Sequence, residues 1–193
     1  MYPHTVKRLE QCLYTTTTPD SETHQLVVVF HEQCAVTHYH GPHASFKQGD
    51  EITIYSVLDK AVQFQVTVIM IDEDHDYMLL EKHGDEFPAY PWSFESLGPG
   101  DGYYLFDITQ TRSPTMKEGV VTKFCGNFLL GKHGQRSNGV AGMFKDNGWF
   151  IGISVNTPDS LKGIRGEEAD PTEAKLVGAP VLISDASCYI DFD

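Results

Sequence analysis

An all-β protein built of many short antiparallel strands is what this sequence predicts, and three observations predict it. Val62, Phe64, Val66, Val68 and Met70 are apolar, with Gln63, Gln65 and Thr67 between them. Alternation at period two over that length suits a half-buried strand and not a helix. Compact apolar, β-branched runs such as Leu26 to Phe30 recur between polar turns, the pattern of short strands. Asn147-Gly148 stands between two apolar runs, the strongest short-range hairpin signal, because both residue types tolerate the backbone of a tight turn.

The elements follow in order. Val6 to Leu13 suits a helix, inside an N-terminal segment, 1–24, that shows no clear strand. Leu26 to Phe30 opens the strands; Ile52, Ile54 and Val57 follow the turn-like Gln48-Gly49-Asp50; the alternating strand comes next, then Tyr77 to Leu80. From about His83 to Gly102 the chain is rich in Pro, Gly and aromatics (Phe87, Pro88, Pro91, Trp92, Phe94, Gly98, Pro99, Gly100). That composition interrupts regular structure and marks a boundary between two halves. Strands resume at Tyr103 to Phe106, Val120 to Cys125 and Phe128 to Leu130, then at Met143-Phe144 and Trp149 to Val155 on either side of the hairpin turn. Residues 157–175, with Pro158, Gly163, Gly166, Pro171 and several acids, suit a surface loop, and Val181 to Ile183 a last strand. A second helix has room only near the C-terminus. Strands this short and regularly spaced build a sandwich or a pair of barrels.

Composition sets the outer limits. The 193 residues are 40% hydrophobic and 21% charged, an ordinary globular mixture with enough chain for one large core or two small ones. A formal net charge of −13 leaves nothing to neutralise phosphates, so no nucleic-acid partner is expected. No apolar run approaches the roughly 18 residues that a membrane helix needs, and the start lacks the apolar stretch of a signal peptide. Cys12, Cys34, Cys125 and Cys188 are scattered without paired spacing, which fits a reducing compartment, cytoplasmic or nuclear.

Three stretches carry a resemblance. Ala35-Val36-Thr37-His38-Tyr39-His40 has two hydrophobic residues, a threonine and, three places on, a histidine; Asp74-His75-Asp76-Tyr77-Met78-Leu79-Leu80 follows the alternating strand; and Asn138 to Phe144 leads into Asn147-Gly148-Trp149-Phe150-Ile151-Gly152-Ile153. Together with Leu97-Gly98-Pro99-Gly100-Asp101, their order resembles the trypsin-like serine proteases, in particular the disulfide-free branch that includes the bacterial heat-shock proteases. The resemblance spans roughly residues 25 to 190. It implies two six-stranded antiparallel Greek-key β-barrels, the first over 25–95 and the second over 96–193. It also implies that His40 stands at the catalytic histidine and Asp76 at the aspartate that orients it.

Such a site needs a nucleophile, an imidazole base and a carboxylate, with backbone N–H groups for the oxyanion. Counting back from the Asn147-Gly148 turn without a gap puts Gly139 where the serine belongs, Asn138 before it, and Val140, Ala141 and Gly142 after it. Glycine has no atom with which to attack, and losing the nucleophile costs on the order of 10⁶ in turnover. Val140 also replaces a permissive glycine in the oxyanion loop, whose equivalents here are Ser137, Asn138 and Gly139. The expectation is therefore a site without activity, and a domain that binds a protein or peptide, alone or within an oligomer. Two alternatives stand beside it: a working intracellular or viral endopeptidase with a displaced nucleophile, Ser137 or Cys125, and a plain β structural domain.

Two further groups of residues need weighing. His31, His38, His40 and His43 cluster in sequence, and an alternating strand would put His38 and His40 on one face. No cysteine or carboxylate at ligand spacing completes a zinc site, so the expectation is solvated loop histidines around one family histidine, with no metal and no cofactor. The aromatics Tyr90, Trp92, Phe94, Tyr103 and Tyr104 suit packing between the halves, with a recognition surface as the alternative. The acids Glu167, Glu168 and Asp170 suit a solvated loop.

Overall fold

The computed structural model describes residues 1–125, 128–133, 140–155 and 173–190. Helix α1 (Pro3–Glu10) leads into β1 (Leu13–Thr15), β2 (Leu26–Val29), β3 (Cys34–His38), a 3₁₀ turn (Gly41–Ser45), β4 (Glu51–Ser56), β5 (Gln63–Asp72) and β6 (Tyr77–Glu81). After a connector come β7 (Gly102–Ile108), β8 (Pro114–Cys125), β9 (Phe128–His133), β10 (Val140–Phe144), β11 (Phe150–Val155) and β12 (Glu173–Gly178), and helix α2 (Ala179–Ala186). The strands close into two six-stranded antiparallel barrels, ordered β1-β2-β3-β6-β5-β4 and β10-β11-β12-β9-β8-β7.

The hydrophobic pattern explains which strand goes where. β2, β3, β10 and β11 are buried along their whole length and hold no polar side chain but Thr37, His38 and Ser154, because they face a barrel interior on one side and the other barrel on the other. Val27, Val29 and Ala35 fill the first barrel with Tyr14, Ile54 and Leu80. Val28, Val36 and Leu79 turn outward and join Phe106, Phe144, Phe150, Ile153 and Val177 in a shared core between the barrels. Gly142 permits that approach, since a Cβ there would come within 2.8 Å of Val28 Cγ1. Polar ties cross the same seam: Arg112 donates to the Ser56 carbonyl, and the Tyr77 hydroxyl donates to the Asp185 carboxylate.

Several expected boundaries move. The first barrel begins at Leu13 and not near residue 25; β1 is only Leu-Tyr-Thr, too short to show a period, and it takes its register from β2 and β4. The first helix sits earlier than Val6 to Leu13, with Pro3 supplying its first turn. Val181 to Ile183 is not a strand but lies in α2, where Ala179, Leu182 and Ala186 are buried at helical spacing behind Pro180. The last strand is β12, whose residues 173–175 fall inside the stretch expected to be loop; the rest of that loop, with Glu167, Glu168 and Asp170, lies outside the described residues. The half boundary near 95 falls within the connector between Glu81 and Gly102.

Candidate active site

His40 leaves β3 two residues after its end and caps the 3₁₀ turn, while Asp76 closes the turn between β5 and β6. β3 and β6 are paired neighbours, with His38 opposite Tyr77, so the two residues meet although 36 positions separate them. His40 Nδ1 lies 2.7 Å from Asp76 Oδ2, and the His40 side chain keeps 33% of its surface. Asp76 has φ 60, a left-handed conformation uncommon outside glycine, and its carbonyl accepts from the Tyr39 N–H at 3.3 Å. A carboxylate can only accept from the ring, so Nδ1 carries the proton and Nε2 is the basic nitrogen. Nε2 has no partner among the described residues. The pair is arranged to accept a proton from a hydroxyl or thiol placed before it.

Behind His40 the other local histidines form a stack and are not solvated loop residues. His38 and His43 are both buried, and the His38 ring lies 4.3 Å from that of His40 and 4.5 Å from that of His43, centroid to centroid. The His43 Nδ1–H donates to the His38 carbonyl at 2.8 Å, so its Nε2 must accept from the Thr16 hydroxyl at 2.7 Å. Burial, then the neighbouring imidazoles, push His38 down to about 2, and burial also lowers His43. His38 is thus a neutral wedge supporting one face of His40. Its Nδ1 is buried without a partner among the described residues. His31 lies at the opposite end of β3. Among the described residues no group of three or more His, Cys, Asp or Glu is arranged to hold a metal ion.

Of the remaining expected site residues, Cys125 alone is among those described. Ser137, Asn138 and Gly139 lie outside the described residues. Cys125 sits at the end of β8 opposite Phe128, half-buried, and no contact among the described residues joins it to His40. The cysteines are all unpaired. The aromatic segment meets its expectation in part: Tyr104 packs against the core shared by the barrels and Tyr90 against that of the first. Tyr103 packs inside the second barrel, but Trp92 is 78% and Phe94 51% exposed. Hydrogen bonds of Phe150 to Ser93 and Glu95 hold that stretch extended along the barrel, which turns both rings outward. The Arg8 guanidinium lies 3.6 Å over the Trp92 ring.

Sequence reasoning missed Lys175. This lysine on β12 is buried, and its ammonium donates across the seam to the Asp74 carbonyl at 2.6 Å, in the turn that ends at Asp76. The only signal was a lone cation inside the apolar run Ala174 to Val177.

With two closed barrels and a histidine–aspartate pair at their seam, the fold is that of trypsin-like protease domains. Solved structures place it there. The protease domain of MamO from Magnetospirillum magneticum, apo form, is similar with a TM-score of 0.64 at 14% identity, covering 93% of this chain and 98% of that one. The Rv3671c protease from M. tuberculosis in its active form gives 0.65 at 14%, covering 98% and 85%. An inactive serine-to-alanine mutant of the same protein gives 0.64 at 13%, covering 98% and 93%. At these identities the likeness concerns the fold alone. No family model and no curated protein matches the chain. Among the described residues no helix is long and apolar enough to cross a membrane.

Proposed function

We propose that this chain is a trypsin-like domain without a catalytic nucleophile that serves to bind a protein or peptide, in the cytoplasm or nucleus. The observation that carries the reading is strand register. β10 pairs with β11 from Val140 opposite Val155 to Phe144 opposite Phe150, with one register shift between Met143 and Phe144, across a turn in which Gly148 has φ 86 and the Asn147 side chain accepts from the Trp149 N–H. The ungapped count that assigns Gly139 to the nucleophile position runs along this hairpin. With glycine there, His40 and Asp76 retain a base and its orienting carboxylate but have no hydroxyl to activate. The exposed Trp92 and Phe94 support a binding role, because aromatics held on a rigid extended segment suit recognition.

One observation favours a second reading, an active endopeptidase using Ser137. The 2.7 Å His40–Asp76 bond is the arrangement acyl transfer requires, and Ser137 lies two residues before Gly139. A digest of a denatured protein substrate and a mixed peptide library, followed by mass spectrometry, separates the two. The wild type should release no new termini, and Ser137→Ala should behave identically. Cleavage by the wild type that disappears in both Ser137→Ala and His40→Ala would establish the second reading.

A further inference from the structure

The turn that carries Asp76 is held from the other barrel. Lys175 is in register with Val155 and Leu130 on β12 and is 5% exposed. Its ammonium bonds the Asp74 carbonyl at 2.6 Å and lies 4.9 Å from the Phe128 ring centroid. A buried ammonium is costly unless anions and acceptors surround it; burial lowers Lys175 from its ordinary value, and the nearby carboxylates of Asp76, Asp72 and Asp74 act against that lowering. Packing alone would be served as well by leucine or methionine.

The turn needs such a hold. Four acids, Asp72, Glu73, Asp74 and Asp76, fall within five residues there, and Asp76 occupies a left-handed conformation that a side-chain-bearing residue adopts only when its surroundings enforce it. Asp72 is occupied locally, accepting from the His75 backbone N–H at 2.9 Å and from the His75 ring at 2.7 Å. Tyr77, next after Asp76, is bound by Asp185 of α2. Lys175 supplies the bond at Asp74 and the positive charge that offsets the mutual repulsion of the acids.

We infer that Lys175 is a positioning residue: by holding the Asp74 carbonyl and offsetting part of the turn's negative charge, it fixes Asp76 where its carboxylate meets His40 Nδ1, and so ties the pair to the second barrel. The inference does not depend on whether the pair turns over a substrate, and its test uses no substrate. The groups around His40 that enter it are Asp76 from the β5–β6 turn, His38 from β3 and His43 from the 3₁₀ turn; Lys175 of β12 acts on it through the turn that carries Asp76.

The test is the Nδ1 proton of His40, followed by NMR in the ring-labelled full chain. In Lys175→Met its exchange with water should rise about tenfold, the factor expected when one such hydrogen bond no longer keeps the turn closed. Core amide signals should stay in place, and Lys175→Arg should restore slow exchange. An unchanged Nδ1 proton in Lys175→Met would overturn the inference, as would an arginine variant that exchanges as fast as the methionine one. Should Lys175→Met not fold, Lys175→Gln removes the charge while its amide can still donate to the Asp74 carbonyl; exchange faster than in the wild type supports the inference, and exchange as slow as in the wild type overturns the role given to the charge.

Discussion

Gly152→Ala is expected to destabilise the protein by about 4 kcal/mol, combining backbone strain with overpacking. Gly152 has φ 140, a region that side-chain-bearing residues rarely enter, and a Cβ built on it would stand 2.1 Å from the Val177 carbonyl oxygen. That oxygen belongs to the paired strand β12, where Gly152 faces Gly178, so relief requires the two strands to separate and not merely a rotamer change. A loss of that size is a large share of the roughly 5–15 kcal/mol that holds a domain together. Urea unfolding measures it. Gly98→Ala is the control, since a Cβ there would meet only Asp101 Oδ2, at 3.7 Å; it should shift the midpoint little. Equal midpoints for the two variants would show that β11 and β12 do not approach as described.

Acid should weaken the fold well before the ordinary carboxylates titrate. His38 is pushed from 6.5 down to about 2 and His133 down to about 4, in both cases mainly by burial. A folded value below the unfolded one means that the unfolded chain takes up the proton first. The stabilisation is therefore fully present above about 6.5 and is lost as pH falls, the His133 share down to about 4 and the His38 share further. Each contributes about 2 kcal/mol of loss at pH 5, or about 4 kcal/mol together. His43, His24 and His31 are lowered in the same direction, while the buried Asp107 carboxyl, which is raised, offsets part of the loss. Urea midpoints at pH 7, 6 and 5 should fall steadily. A flat profile over that range would contradict the burial of the imidazole stack behind His40.

The fold was legible where residues face two different environments in strict alternation, or none at all. β5 announced itself by its period, β2 by its unbroken apolar run, and β11 by a run broken only at Ser154. What was hidden had a physical reason. β1 is too short to carry a period. The first half of β8 mixes Met116, Lys117, Glu118 and Gly119 on a strand that is largely solvent-facing, so no periodic signal survives. Val181-Leu182-Ile183 suits strand and helix equally, and only the burial of Ala179 and Ala186 on one stripe decides for the helix.

The candidate site was legible only through resemblance. Nothing in spacing alone brings His40 to Asp76; the pairing of β3 with β6 does. The burial of His38 and His43 could not be read either, because a histidine's environment is set by the stack it joins and not by its polar neighbours in sequence. Lys175 was invisible for a related reason. A lysine in an apolar strand looks like a solvent-facing position until the acidic turn that receives it is known.

Intact-mass spectrometry of the native protein after incubation with a fluorophosphonate tests the central claim most directly. Such a probe bonds covalently to a hydroxyl that an imidazole has activated, and it needs no knowledge of the true ligand. The account predicts no added mass, in the wild type and in His40→Ala alike. One adduct per chain, mapped to Ser137 and absent from His40→Ala, would contradict it.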